Sequence, residues 1–170
     1  MAFKPTTIKH VLSAALIGAF AVSATPALAA DNANATVSVR VMKPLSITSS
    51  GTLNFGKFAP KASTGSITIS ADGATVTTSA ASDLFHTGTT AVPTFTVTGE
   101  ASTNFSIALT ATPPAGTTLT PSHSITGTPN TGASGDTTGV TFTVGGTLAY
   151  TSAPSEGNLS GSVTATVSYP

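Results

Sequence analysis

The sequence contains no cysteine and no tryptophan, and only 7% of its 170 residues are charged. Without thiols there can be no disulfide, thiolate metal site or cysteine nucleophile, so stability must come from packing or from assembly. After the first 29 residues the cations are Arg40, Lys43, Lys57 and Lys61, set against Asp31, Asp72, Asp83, Glu100, Asp136 and Glu156. No basic stripe follows nucleic-acid phosphates, so neither nucleic acid nor an anionic membrane surface is an expected partner. The histidines beyond residue 29, His86 and His123, lack the paired spacing of a zinc site, and the carboxylates form no calcium-loop pattern. No metal or cofactor is expected.

Catalytic constellations are equally scarce. Asp83 and His86 stand three apart around Phe85 in an expected loop, and the chain has many serines. A hydrolytic triad, however, needs its nucleophile on a strained turn beside an oxyanion hole, and no Gly-x-Ser-x-Gly elbow occurs. The plainer reading is an exposed loop pair, and the chain is not expected to be an enzyme.

The first thirty residues carry the three zones of a secretory signal peptide: Lys4 and Lys9, an apolar run over 11–24, and small residues in Pro26-Ala27-Leu28-Ala29. The run is shorter than the roughly 20 apolar residues of a membrane span. Cleavage is expected after Ala29, with Ala30 as the second choice, which predicts an exported protein with no membrane span in its mature part. Residues 30–170 then suffice for one domain with a real core.

Serine and threonine make up about a third of that mature part. They alternate with apolar residues, the pattern of half-buried strands with hydroxyl-bearing outer faces. In residues 33–41 the side chains of Ala33, Ala35, Val37, Val39 and Val41 share one face. Further strands are predicted over 45–48, 52–55, 66–71, 74–78, 93–98, 105–112, 140–144, 147–150 and 161–169, with no helical period among them. Asp72-Gly73 predicts a type I′ hairpin, Gly145-Gly146 a hairpin or bulge, and Pro113-Pro114 and residues 129–139 surface loops. Phe55, Phe95, Phe105 and Phe142 fall on strand patterns and read as core. Many short strands at regular spacing imply an all-β sandwich. Sequons at Asn34, Asn104 and Asn158 are what chance supplies in so hydroxyl-rich a chain.

Several phrases together carry a resemblance. They are Pro44-Leu45-Ser46-Ile47, Leu53-Asn54-Phe55-Gly56, Phe95-Thr96-Val97-Thr98-Gly99, Val144-Gly145-Gly146-Thr147-Leu148, and the ending from Gly157-Asn158-Leu159-Ser160-Gly161 to Val167-Ser168-Tyr169. In this order the chain resembles a family of small secreted β-sandwich domains of unknown function that look like pilins of the chaperone–usher pathway. The resemblance implies an immunoglobulin-like sandwich lacking its last strand. A periplasmic chaperone lends that strand, and an outer-membrane usher exchanges it for the N-terminal extension of a neighbouring copy. The divisions expected are a cleaved signal peptide (1–29), an N-terminal extension or donor strand (30–43) and a pilin-like β-sandwich (44–170). Ala33, Ala35, Val37, Val39 and Val41 would be the donor knobs. Val163, Ala165, Val167 and Tyr169 would form the C-terminal edge of the acceptor groove, with tyrosine second from the end as in many pilins. Many pilins also carry a disulfide, and this chain has none.

The expected function is therefore a structural pilus subunit, carried through the periplasm to the cell surface and polymerised there for adhesion. Two alternatives remain open: a self-complemented secreted monomer that binds a ligand or glycan, with residues 33–41 as an ordinary first strand, and a secreted hydrolase.

Overall fold

The computed structural model describes residues 31–80, 82–132 and 137–170. The expected signal peptide and part of the 129–139 loop lie outside the described residues. The chain divides into two units, Met1–Val39 and Arg40–Pro170. Every described strand belongs to the second unit, and there is no helix among the described residues.

Among the described residues ten strands form: β1 (Ser46–Ser50), β2 (Lys57–Pro60), β3 (Gly65–Ile69), β4 (Val76–Thr78), β5 (Leu84–Thr87), β6 (Thr94–Thr98), β7 (Ser106–Thr112), β8 (Thr118–His123), β9 (Val140–Tyr150) and β10 (Ser162–Ser168). All pairings are antiparallel. A six-stranded sheet runs β1-β6-β9-β3-β4, with β8 also along β9. Two shorter ladders, β10-β7 and β2-β5, make up the rest.

Period-two alternation turns the even residues of β9 to one face: Phe142, Val144, Leu148 and Tyr150 are all buried. Over its first half they join Phe95, Val97 and Phe105 in a core that Ile107 and Leu109 of β7 and Val163, Ala165 and Val167 of β10 cover in part. The rings of Phe95 and Phe142 stack there at 5.2 Å. Over the second half Tyr150 joins Ile67 and Leu84, with Phe55 and Phe58 packed against them. The two short ladders thus form a second layer over a single face of the large sheet, as in a β-sandwich.

Several expectations change. Gly145-Gly146 makes neither a hairpin nor a bulge: Ser122 pairs with Gly145 and Pro121 with Gly146 in unbroken register, so the two strands expected here are one. The glycines are needed for another reason. A Cβ on Gly145 would collide with the carbonyls of Ile69 and Ser70, and one on Gly146 would come within 2.6 Å of the Thr120 carbonyl. The Asp72-Gly73 hairpin does form, with Ile69 opposite Val76, but Gly73 has positive φ and Asp72 does not, so the turn is not type I′. Its carboxylate accepts instead from Ser70 Oγ and the Ala74 amide, which holds it below the ordinary carboxylate range.

Strand β8 was unexpected because Pro121 reads as a breaker. It pairs only with β9, and on a one-sided strand the missing N–H costs no ladder bond on the open edge. Residues 52–55 shrink to an isolated bridge between Asn54 and Ala91. Among the described residues of the 129–139 stretch, Thr131 is buried, and its hydroxyl donates to the Glu100 and Thr103 carbonyls. Residues 31–45 form no strand, despite the alternation at 33–41. A strand-competent pattern forms a strand only where a ladder partner satisfies its backbone.

Candidate functional site

Between β2 and β10 the second layer is interrupted. Strand β2 pairs only with β5, and β10 only with β7, so each has one edge without a strand among the described residues. A groove of about 1050 Å³ separates them, walled by residues 51–60 on one side and 154–163 on the other, with Phe95, Leu119 and Leu148 of the large sheet beneath. The first strand shapes one wall by changing layers: β1 pairs with β6 in the large sheet, Gly51 turns the chain at φ +80°, and β2 continues in the second layer. Lys57 and Glu156 are the charged residues of the lining, so the groove suits a neutral segment.

Of the C-terminal residues singled out from sequence, Val163 lines the groove, whereas Ala165, Val167 and Tyr169 are not part of its lining. Val163, Ala165 and Val167 lie partly covered against the Phe95–Phe142 core. Tyr169 follows β10 at the end of the domain where β1 begins. Its hydroxyl donates to the Lys43 carbonyl at 2.8 Å and accepts from the Glu100 amide at 2.7 Å. The Glu100 carboxylate accepts from the Lys43 amide at 3.1 Å and pairs with Arg40. That amide first, and then the guanidinium, hold the carboxyl below its ordinary range. Gly99 is required by this arrangement, since a Cβ there would sit 2.6 Å from the tyrosine hydroxyl and 2.8 Å from Leu45. Of the N-terminal residues, Ala33 and Ala35 are exposed, and Val37, Val39 and Val41 are 91%, 87% and 88% exposed.

Asp83 and His86 do not share a loop. His86 lies on β5, and its Nε2 is 2.8 Å from the Phe55 carbonyl, while the Asp83 backbone carbonyl accepts from the Tyr150 hydroxyl at 3.0 Å. Burial raises the Tyr150 phenol above its usual range. A second cleft of about 540 Å³, lined by Lys61, Val76, Phe85 and His86 among others, lies beside this pair, with Phe85 54% exposed. Among the described residues no three His, Asp or Glu side chains cluster as metal ligands.

Sequence reasoning did not find the β2 wall or the Glu100 linkage. Pro60 at the end of β2 was an available signal, because proline within a sheet marks an edge. Glu100 offers none, since the partners in this linkage, Arg40, Lys43 and Tyr169, lie 57 to 69 residues away in sequence.

Fold and groove together define an all-β domain of antiparallel sheets arranged as in a β-sandwich, with a groove in its second layer. The chain belongs to a family defined by a domain of unknown function, DUF4402, whose model matches residues 45–169. No curated protein and no solved structure matches it.

Proposed function

We propose that this protein is a structural subunit of a surface filament, with an immunoglobulin-like, pilin-like domain that polymerises by donor-strand exchange. One observation carries this reading: β2 and the start of β10 line the same groove, each strand has one edge without a strand among the described residues, and the inward side chains of β10 are only partly covered. Residues 33–41 of a neighbouring copy are the occupant. They supply five small or β-branched knobs at period two, three of them valines exposed by 87–91%. Backbone bonds to β10 and β2 give affinity, and side-chain fit sets register. Each buried valine is worth about 1.5–3 kcal/mol at every junction.

Export through the periplasm would bring the subunit to a chaperone that fills the groove temporarily and to an outer-membrane usher that exchanges that strand for the next subunit's extension. The domain has no catalytic role in this scheme. The exposed Phe85 beside Lys61 and His86 favours the second reading, a ligand- or glycan-binding surface, and that cleft stays accessible when the groove is filled.

The test is Val39→Asp. An unpaired carboxylate buried under an added strand costs several kcal/mol, so surface filaments and SDS-resistant ladders should disappear while folded subunit persists. Wild-type filament levels in this variant would eliminate residues 33–41 as the donor.

A further inference from the structure

We infer that Glu100 and Tyr169 form a strut that keeps the subunit from filling its own groove, and so reserves its N-terminal extension for another copy. The inference rests on the donor-strand reading above. Strand β1 starts at the end of the domain where β10 finishes, because Ser46 pairs with Thr98 while Tyr169 binds the amide of Glu100, two residues past Thr98. For residues 33–41 to lie along the open edges of β1 and β2 in the same chain, residues 42–45 must reverse as a tight hairpin. Residues 40–43 would then run against β1.

They are committed elsewhere. The Lys43 amide donates to Glu100 Oε2, the Lys43 carbonyl accepts from Tyr169, and Arg40 pairs with Glu100. Glu100 follows β6, the strand that pairs with β1. The strut therefore ties residues 40–43 to the β6–β7 connection and to the end of β10, so they are not free to reverse and pair with β1.

Competition measures the effect. A tethered segment has an effective concentration of about a millimolar, so an unrestrained extension should outcompete about 10 µM free peptide roughly a hundredfold at equal affinity. The probe is a fluorescein-labelled peptide of residues 31–43 added to the full mature chain, kept dilute, with uptake followed by anisotropy. Wild type should take up the peptide. Glu100→Ala should lower apparent uptake by up to a hundredfold, and Tyr169→Phe, which removes only the hydroxyl, should lower it in the same direction by less. Glu100→Ala combined with Val39→Asp, whose own extension is disabled, should recover wild-type uptake. Equal uptake by wild type and Glu100→Ala overturns the strut and leaves the groove reading standing. Failure of the double variant to recover overturns it as well, by showing that Glu100 serves the domain's integrity. No uptake by wild type and Val39→Asp alike removes the groove reading, and the strut with it.

Discussion

Strands β9 and β10 share a pattern of apolar residues alternating largely with threonine, but differ in the size of those residues and in their surroundings. In β9, Phe142, Val144, Leu148 and Tyr150 are at most 6% exposed. In β10, Val163, Ala165 and Val167 stay only partly covered. The difference lies in their neighbours: β9 is flanked by β6 and β3 on one side and β8 on the other, while β10 has β7 alone. Period two settles which side chains face inward. How far they are buried depends on how many strands flank them and on what covers the layer.

Removing a β9 side chain should give the largest effect. Phe142→Ala takes away a ring that is 2% exposed and stacked on Phe95, and should cost about 3–5 kcal/mol in urea unfolding of the subunit. A loss under about 1 kcal/mol would mean that the β9 face is no better packed than β10.

Val167→Ala sharpens the contrast from the other side. In the free subunit the loss should be about 0.5–1 kcal/mol, because the side chain is only partly covered. With the residue 31–43 peptide bound, the same substitution should cost more, as the added strand completes its surroundings. Equal costs with and without peptide would break the link between the open edge and the missing burial.

The smallest effect concerns acid. The folded-state value of Glu100 is depressed, so its contribution is complete above the ordinary value of 4.5 and fades as pH falls through the lowered one. Lowering pH from 7 to 5 should leave the Arg40–Glu100 pair and peptide uptake unchanged. Further acidification should reduce uptake in wild type and leave it unchanged in Glu100→Ala, which lacks the titrating carboxyl. A titration centred above pH 5 would assign the effect to another group.

Much of the fold was legible because alternation is a local property. Strands β1, β3, β4, β6, β7 and β10 lie within a few residues of their expected places, and Phe95, Phe105 and Phe142 are core as their patterns suggested. Short or proline-bearing strands were not legible: four residues in β2 and in β5 show too little period, and Pro121 in β8 looks like a stop until the strand is seen to lie at an edge. The two glycines of β9 looked like punctuation, yet they answer the close approach of β3 and β8.

The candidate site divides along the same line. From the order of its residues alone, this chain was going to be β-rich, hydroxyl-faced and held without disulfides, with one alternating segment before the domain and another at its end, because side-chain period and composition are written residue by residue. Only the tertiary structure decided that residues 31–45 form no strand, that β10 is paired on one side, that the facing edge is β2, and that Glu100 links Arg40 and Lys43 to Tyr169. Those facts concern which distant backbone edges and side chains meet, and a pairing between residues scores apart depends on the packing of every strand between them.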